Sequence, residues 1–185
     1  MNDPFVILGI AGSLRKESFN RALLHATAEL LPEGVRLETF EIDGLPHFNQ
    51  DEENTPHPRV TELKERVRAA DAILFVTPEY NYSIPGVLKN AIDCASRPYG
   101  DNAWNGKPVA IMGASIGTQG TSRAQYHLRQ TFVFLNMYAV NQPEVMVSNA
   151  SKSFDQEGKL TDETTKKLIR QLLAELVSWT KRLQE

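Results

Sequence analysis

The chain has 185 residues, of which 41% are hydrophobic and 23% charged, an ordinary globular composition that is long enough to bury one sizeable core. Its 20 basic and 23 acidic side chains give a formal net charge of -3 at pH 7, so no basic excess is available to bind a nucleic-acid backbone or an anionic membrane. The single cysteine, Cys94, excludes an internal disulfide. We therefore expect one domain over residues 1–185 and no nucleic-acid partner.

Targeting and membrane-spanning segments are not evident in the sequence. The N-terminal residues lack the basic region, the apolar core and the cleavage site of a secretory signal. No apolar stretch comes near the roughly 20 residues that span a bilayer. Together with the lone cysteine, these features predict a cytoplasmic protein without a membrane partner. His47 and His57 flank an acidic loop but lack the spacing of metal ligands, so no metal is expected either.

Apolar runs predict five β-strands. Three runs are continuous, which is typical of parallel strands covered on both faces, whereas the second run alternates with polar residues as an edge strand does. The last strand is interrupted at Pro143. In chain order the predicted strands are 5–10, 35–42, 72–76, 108–112 and 138–140 continued by 145–147.

The segments between the strands predict helices, because apolar residues recur in them at helical spacing. They are 20–31, 60–70, 86–96, 121–135 and 160–183. Strands that alternate with helices pair in parallel through right-handed crossovers, which predicts an α/β fold with a three-layer, doubly wound, five-stranded parallel sheet. Ligands of such sheets bind at the carboxyl ends of the strands. The candidate loops therefore follow Ile10, Val76 and Met112.

The first loop, 12–20, combines groups that hold a phosphate. Ser13, Ser18 and Asn20 offer neutral donors, Arg15 a fixed charge, and the following helix its free N–H groups. These groups favour a phosphate monoester, although Ser18 or Asn20 could instead cap the helix and Arg15 be solvated. The P-loop and the dinucleotide motif GxGxxG are both absent.

The second loop, 78–86, is stiffened by two prolines and presents Tyr80 and Tyr82. Their flat faces and the backbone polar groups of the loop favour a planar heteroaromatic cofactor. The alternative is that both tyrosines pack over the end of the sheet.

The third loop, 113–123, contains a GxSxG sequence around Ser115 at a strand-to-helix turn, where the nucleophile of a serine hydrolase would lie. The only later histidine is His127, and no acidic residue stands between the two. A hydrolase of this type needs its acid and then its histidine after the serine in the chain, and this order is not present. Ser115 is therefore interpreted as a ligand donor or turn residue, with the hydrolase kept as an alternative.

Two of these motifs carry a resemblance to a known family. Gly12-Ser13-Leu14-Arg15 with Ser18 and Asn20, and Pro78-Glu79-Tyr80-Asn81-Tyr82-Ser83, resemble the NAD(P)H-dependent FMN reductase family of flavodoxin-like flavoproteins, above all bacterial quinone, azo-dye and chromate reductases. The resemblance extends to about Val147. It implies the flavodoxin-like strand order 2-1-3-4-5, a bound FMN, and NADPH or NADH as the reductant.

The resemblance also implies roles for individual residues. The FMN phosphate would be held by the first loop, and the ribityl chain and isoalloxazine would be lined by the second. The third loop would close the other side of the flavin. The residues concerned are Ser13, Leu14, Arg15, Ser18, Phe19 and Asn20 in the first loop, Pro78, Glu79, Tyr80, Asn81, Tyr82 and Ser83 in the second, and Ser115, Gly117 and Thr118 in the third.

Members of such a family are dimers or tetramers in which the third and fourth helices supply much of the interface. Arg123, Tyr126 and Glu144 would then be polar residues of the interface, or else bond within the chain. Hydride would pass from NAD(P)H to flavin N5, and electrons then to a quinone, flavin, azo compound or metal oxyanion by a ping-pong mechanism without a catalytic side chain. The alternative is a flavodoxin-like electron carrier or binding module without NAD(P)H oxidation.

Overall fold

A computed structural model describes residues 4–185. Its sheet contains β1 (Phe5–Ala11), β2 (Val35–Thr39), β3 (Ala72–Val76), β4 (Pro108–Ala114), β5 (Tyr138–Ala139) and β6 (Val145–Val147). The helices are α1 (Phe19–Thr27), α2 (Pro58–Ala69), α3 (Gly86–Ala95), α4 (Ser122–Leu135) and α5 (Glu163–Gln184).

The strands pair in parallel in the order β2-β1-β3-β4-β5, which confirms the predicted topology. The interrupted last strand forms two short segments on the same edge of β4. Tyr138 is opposite Pro108 near the start of β4, and Val147 is opposite Ala114 at its end.

Hydrophobic residues form a core on each face of the sheet, as a doubly wound fold requires. On one face, α1 and α5 bury residues such as Leu23 and Leu173 against the strands. On the other face, α2, α3 and α4 bury residues such as Leu63, Ile92 and Phe132. All five residues of β3 are buried, because this central strand is covered on both sides.

Several element boundaries differ from the predicted ones, among them the end of β2 and the start of the last helix. β2 ends at Thr39 rather than at residue 42, although Phe40 is still buried and its N–H donates to the Gly9 carbonyl. The last helix begins at residue 163 rather than 160, because the Asp162 carboxylate accepts the Thr165 N–H at 2.7 Å and caps the helix there.

No helix within residues 4–185 is both long and apolar enough to cross a membrane. Nor do the residues of this range bring three or more histidine, cysteine or acidic side chains together as a metal site would.

Candidate functional site

The carboxyl ends of three neighbouring strands meet at one edge of the sheet. Ala11 is opposite Val76, and Val76 is opposite Met112. The loops after these strands are joined directly to the neighbouring strand, since the Gly12 N–H donates to the Val76 carbonyl and the Thr77 N–H to the Met112 carbonyl. The three loops chosen from the sequence therefore converge on one place.

Gly113 lets the second and third loops approach each other. A Cβ at this position would lie 2.2 Å from the Thr77 carbonyl oxygen and 2.2 Å from Thr121 Oγ1. Because side-chain atoms cannot approach that closely, only glycine fits here. The convergence of the loops thus depends on a residue without a side chain.

The first loop buries two hydroxyl groups, those of Ser13 and Ser18. Ser18 is the cap of the helix, and its Oγ accepts the Asn20 N–H at 3.2 Å. Ser13 Oγ accepts the Arg15 N–H at 3.3 Å. Each hydroxyl keeps its proton for donation to a ligand. The capping alternative for Ser18 is confirmed, and capping leaves its donor free.

The same loop carries donors that are free of protein partners. The N–H groups of Lys16 and Glu17 donate to no other group of residues 4–185. Arg15 is exposed, with no carboxylate of that range paired to it, and its Cζ lies 6.0 Å from the centre of the Phe19 ring. The half-buried Phe19 ring packs in turn against Phe154, whereas Leu14 is exposed. A cation, two hydroxyls and a helix N-terminus form a donor set that suits a phosphate.

Asn20 is used differently from the other polar residues of this loop. Its Nδ2 donates to the Ala114 carbonyl at 2.9 Å, and its Oδ1 accepts the Ala114 N–H at 2.8 Å. The side chain is buried and both of its amide atoms are occupied. Asn20 therefore fastens α1 to the end of β4, which holds the first loop against the third.

The second loop contains a tight hairpin over residues 80–83. Tyr80 and Ser83 exchange two backbone hydrogen bonds of 2.9 Å. Asn81 and Tyr82 at its tip have φ angles of 51° and 67°, a combination typical of a type I′ turn. The rings of Tyr80 and Tyr82 are exposed, so the alternative in which both pack over the sheet is wrong.

Pro78 and Glu79 precede the hairpin and are largely buried. The Glu79 side chain, 7% exposed, accepts the N–H groups of Arg123 and Ala124 at 3.0 and 3.2 Å and pairs with the Arg123 guanidinium at 2.6 Å. A carboxylate at the first turn of α4 is favoured by the helix dipole. Glu79 therefore joins the hairpin to α4.

Two further contacts connect the hairpin with α4. The Arg123 Cζ lies 3.7 Å from the centre of the Tyr82 ring. His127 Nδ1 and Ser83 Oγ lie 3.0 Å apart and share a hydrogen bond. No pattern in the sequence indicates the role of His127, because its partner Ser83 stands 44 residues away in the chain.

The third loop leaves its tip exposed. Ser115 is fixed by its N–H, which donates to the Val147 carbonyl at 2.9 Å, and its Oγ accepts the Gly117 N–H at 3.1 Å. Gly117 and Thr118 are exposed. No histidine or carboxylate of residues 4–185 hydrogen-bonds to Ser115, and His127 contacts Ser83 instead. The geometry therefore gives no support to a serine nucleophile at this position.

Comparison with known proteins decides among the remaining possibilities. A family model described as NADPH-dependent FMN reductase matches residues 6–152. The chain is 51% identical over 185 residues to the NAD(P)H-dependent FMN reductase of Pseudomonas aeruginosa, covering 100% of each. The chain belongs to the NADPH-dependent FMN reductase family.

Two further comparisons agree with this family. The present chain is 42% identical over 182 residues to a quinone reductase of Pseudomonas putida, covering 98% of this chain and 97% of that one. The solved structure of a flavoenzyme NAD(P)H:(acceptor) oxidoreductase from Paracoccus denitrificans has a TM-score of 0.88 and 35% identity, covering 96% of this chain and 98% of that chain. The predicted enzyme class, with FMN as cofactor and NAD(P)H as reductant, is confirmed, and the carrier and hydrolase alternatives are set aside.

A groove of about 880 Å³ lies beside the first loop of the reductase rather than among the three loops. It shares Arg15, Ser18 and Phe19 with the first loop and extends along α1 to the turn at 155–159. No residue of the second or third loop lines it. The rings of Tyr80 and Tyr82 in the hairpin are exposed to solvent.

The three residues considered for a subunit interface all have partners within the chain. Arg123 pairs with Glu79, and the Tyr126 hydroxyl donates to Glu144 at 2.9 Å. The hydrogen bond to the Glu144 carboxylate raises the pKa of Tyr126. In the single chain, these three residues therefore bond within the chain, as the alternative to an interface role predicted.

Cys94 does not belong to the site. Burial, and secondarily the neighbouring Asp93, raises the pKa of its thiol to about 11. The residue is therefore a protonated thiol at neutral pH, as expected for a buried structural cysteine.

Proposed function

We propose that this FMN reductase is an NAD(P)H:quinone oxidoreductase whose FMN binds across the three converging loops. The observation that carries the proposal is the arrangement at one sheet edge of buried hydroxyls with a free arginine and, beside them, an exposed aromatic hairpin. One end of the arrangement suits a phosphate and the other a planar ring. The quinone as acceptor is supported by the quinone reductase from Pseudomonas putida.

The first loop holds the FMN phosphate in this proposal. Ser13 and Ser18 donate their hydroxyl protons, and Arg15 closes over the phosphate from the solvent side. The N–H groups at the start of α1 add the helix dipole. Leu14 and Phe19 flank the phosphate, and Asn20 contributes by holding α1 in place.

The second and third loops hold the ribityl chain and the ring. Pro78 and Glu79 fix the start of the second loop, and the hairpin presents polar backbone and flat side chains to the isoalloxazine. On the other side the exposed tip of the third loop closes the flavin. The hairpin residues are Tyr80, Asn81, Tyr82 and Ser83, and those of the third loop are Ser115, Gly117 and Thr118.

Bound FMN supplies the redox chemistry, accepting hydride from the nicotinamide and passing electrons to the acceptor. The chain orients the ring and leaves one of its faces open, so nicotinamide and acceptor stack there in turn. Such use of one surface produces ping-pong kinetics. Free flavin, azo compounds and metal oxyanions are further acceptors that an open face admits.

The proposed assembly is a homodimer or homotetramer that covers the outer face of α4. Val133 and Phe134 on this helix are 84% and 76% exposed, unusually open for such side chains. A second copy of the chain would remove them from water. Light scattering on the purified protein should give a mass of two or four chains.

A cytoplasmic location of the protein stays a prediction.

The proposal is tested by reconstituting the purified protein with FMN, desalting it, and recording its visible spectrum before and after anaerobic NADPH. The flavin bands should be retained, bleach with NADPH, and return when a benzoquinone is added. Bands that bleach but do not return with the quinone would contradict the proposal that a quinone is the electron acceptor. Loss of flavin on desalting would overturn the three-loop site.

A further inference from the structure

The hairpin of the second loop has a backbone geometry that its own residues do not favour. A type I′ turn requires positive φ at both central positions, and asparagine followed by glycine is the preferred pair. Asn81 suits the first position, but Tyr82 stands where glycine is preferred, with φ at 67°. A bulky residue in this region is strained and persists only where the surrounding structure holds it.

The groups that hold the hairpin come from one helix. Arg123 in the first turn of α4 stacks on the Tyr82 ring and pairs with Glu79. His127, one turn further along, shares its hydrogen bond with Ser83. Residues four apart lie on the same face of a helix, so both side chains meet the hairpin together. They contact its tip, its entry and its exit.

We propose that His127 is a positioning residue of the flavin site, which with Arg123 holds the 80–83 hairpin in the geometry that meets the flavin. The inference rests on the proposed function, because it assumes that this hairpin lies against the isoalloxazine. His127 acts through Ser83 and touches no reacting atom. Its contribution is the hydrogen bond at Nδ1, so an amide placed there substitutes for the ring.

The test compares three variants of the FMN-loaded protein. His127→Leu removes the hydrogen bond, and His127→Asn places an amide near the position of Nδ1. Gln130→Leu is the matched control, because Gln130 is exposed on the same helix and its side chain makes no hydrogen bond within residues 4–185. FMN release on dilution, measured by flavin fluorescence, gives the dissociation constant. The visible spectrum of the bound flavin reports its surroundings.

His127→Leu should weaken FMN binding about threefold to tenfold, as expected for one hydrogen bond, and alter the flavin spectrum. His127→Asn should restore both, and Gln130→Leu should behave as the unaltered protein. Equal behaviour of His127→Leu and Gln130→Leu would overturn the proposal. So would an Asn variant as impaired as the Leu variant, because the hydrogen bond would then not be the cause.

A substitution in the hairpin distinguishes failure of the His127 proposal from failure of the proposed flavin site. Tyr82→Ala removes the exposed ring that the proposed function places beside the flavin. If it changes FMN release while His127→Leu does not, only the positioning role fails. If Tyr82→Ala leaves release and spectrum unchanged, the hairpin does not contact the flavin, and the assignment of the second loop fails with it.

Discussion

The two halves of the candidate site are built in different ways. The first loop takes its shape from the helix that follows it, since Ser18 caps α1 and no non-glycine residue of 12–18 has a positive φ. The hairpin of the second loop contains two such residues and is held by contacts from α4. The phosphate end is thus formed by local structure, and the ring end by distant partners.

The largest expected effect concerns the long-range contact between Asn20 in the first loop and Ala114 at the end of β4. Asn20→Ala removes both hydrogen bonds to Ala114, so the buried N–H and carbonyl of Ala114 lose these partners. We expect the free energy of unfolding to fall by about 2–4 kcal/mol. Urea unfolding of the flavin-free protein measures it. Asn54→Ala, in an exposed loop, is the control and should cost less than about 0.5 kcal/mol.

The same contact shows where prediction from the sequence ends. Apolar runs located the strands, and capping chemistry located Ser18, because these features depend on neighbours in the chain. The partner of Asn20 is 94 residues away and that of Glu79 is 44 residues away. A polar residue near a ligand loop gives no sign of whether it faces the ligand or another loop. The structure shows both side chains bonded to protein.

Arg15→Ala tests the part of the first loop that is free for a ligand. Because Arg15 is exposed and unpaired within residues 4–185, its loss should leave the unfolding of the flavin-free protein unchanged within about 0.5 kcal/mol. FMN binding should weaken by about 1.5–3 kcal/mol, the value of a charge-assisted hydrogen bond. Titration of the flavin-free protein with FMN measures it. Unchanged affinity would show that Arg15 does not hold the phosphate.

Glu79→Ala tests the connection between hairpin and helix. The substitution removes the acceptor of two N–H groups in the first turn of α4 and frees the Arg123 guanidinium, which water can still reach. The loss resembles that of a helix cap, so unfolding should become easier by about 1–2 kcal/mol. Glu79→Gln keeps one acceptor oxygen and should lose less. Equal losses in the two variants would show that the charge, rather than the capping, matters.

The smallest expected effect distinguishes the two halves most directly. It compares the change in stability when one residue of each half is replaced by glycine, because the sign of that change should differ between them. Glycine normally destabilises by about 0.5–1 kcal/mol through the entropy of the unfolded chain. At Tyr82 it also relieves a positive φ, a strain of about 1–3 kcal/mol, while the lost contact with Arg123 costs about 0.5–1 kcal/mol. The midpoints of these ranges leave a net gain in stability of about 0.5 kcal/mol for Tyr82→Gly.

The matched change in the first loop is Leu14→Gly, at an exposed residue without positive φ, which should lower stability by about 0.5–1 kcal/mol. Urea unfolding of the two flavin-free variants gives the difference between them. If both lose stability equally, the hairpin stores no strain, and α4 is not needed to hold its shape. If only Leu14→Gly loses stability, Tyr82 is retained for its exposed ring, at the expense of a turn that glycine would form more readily.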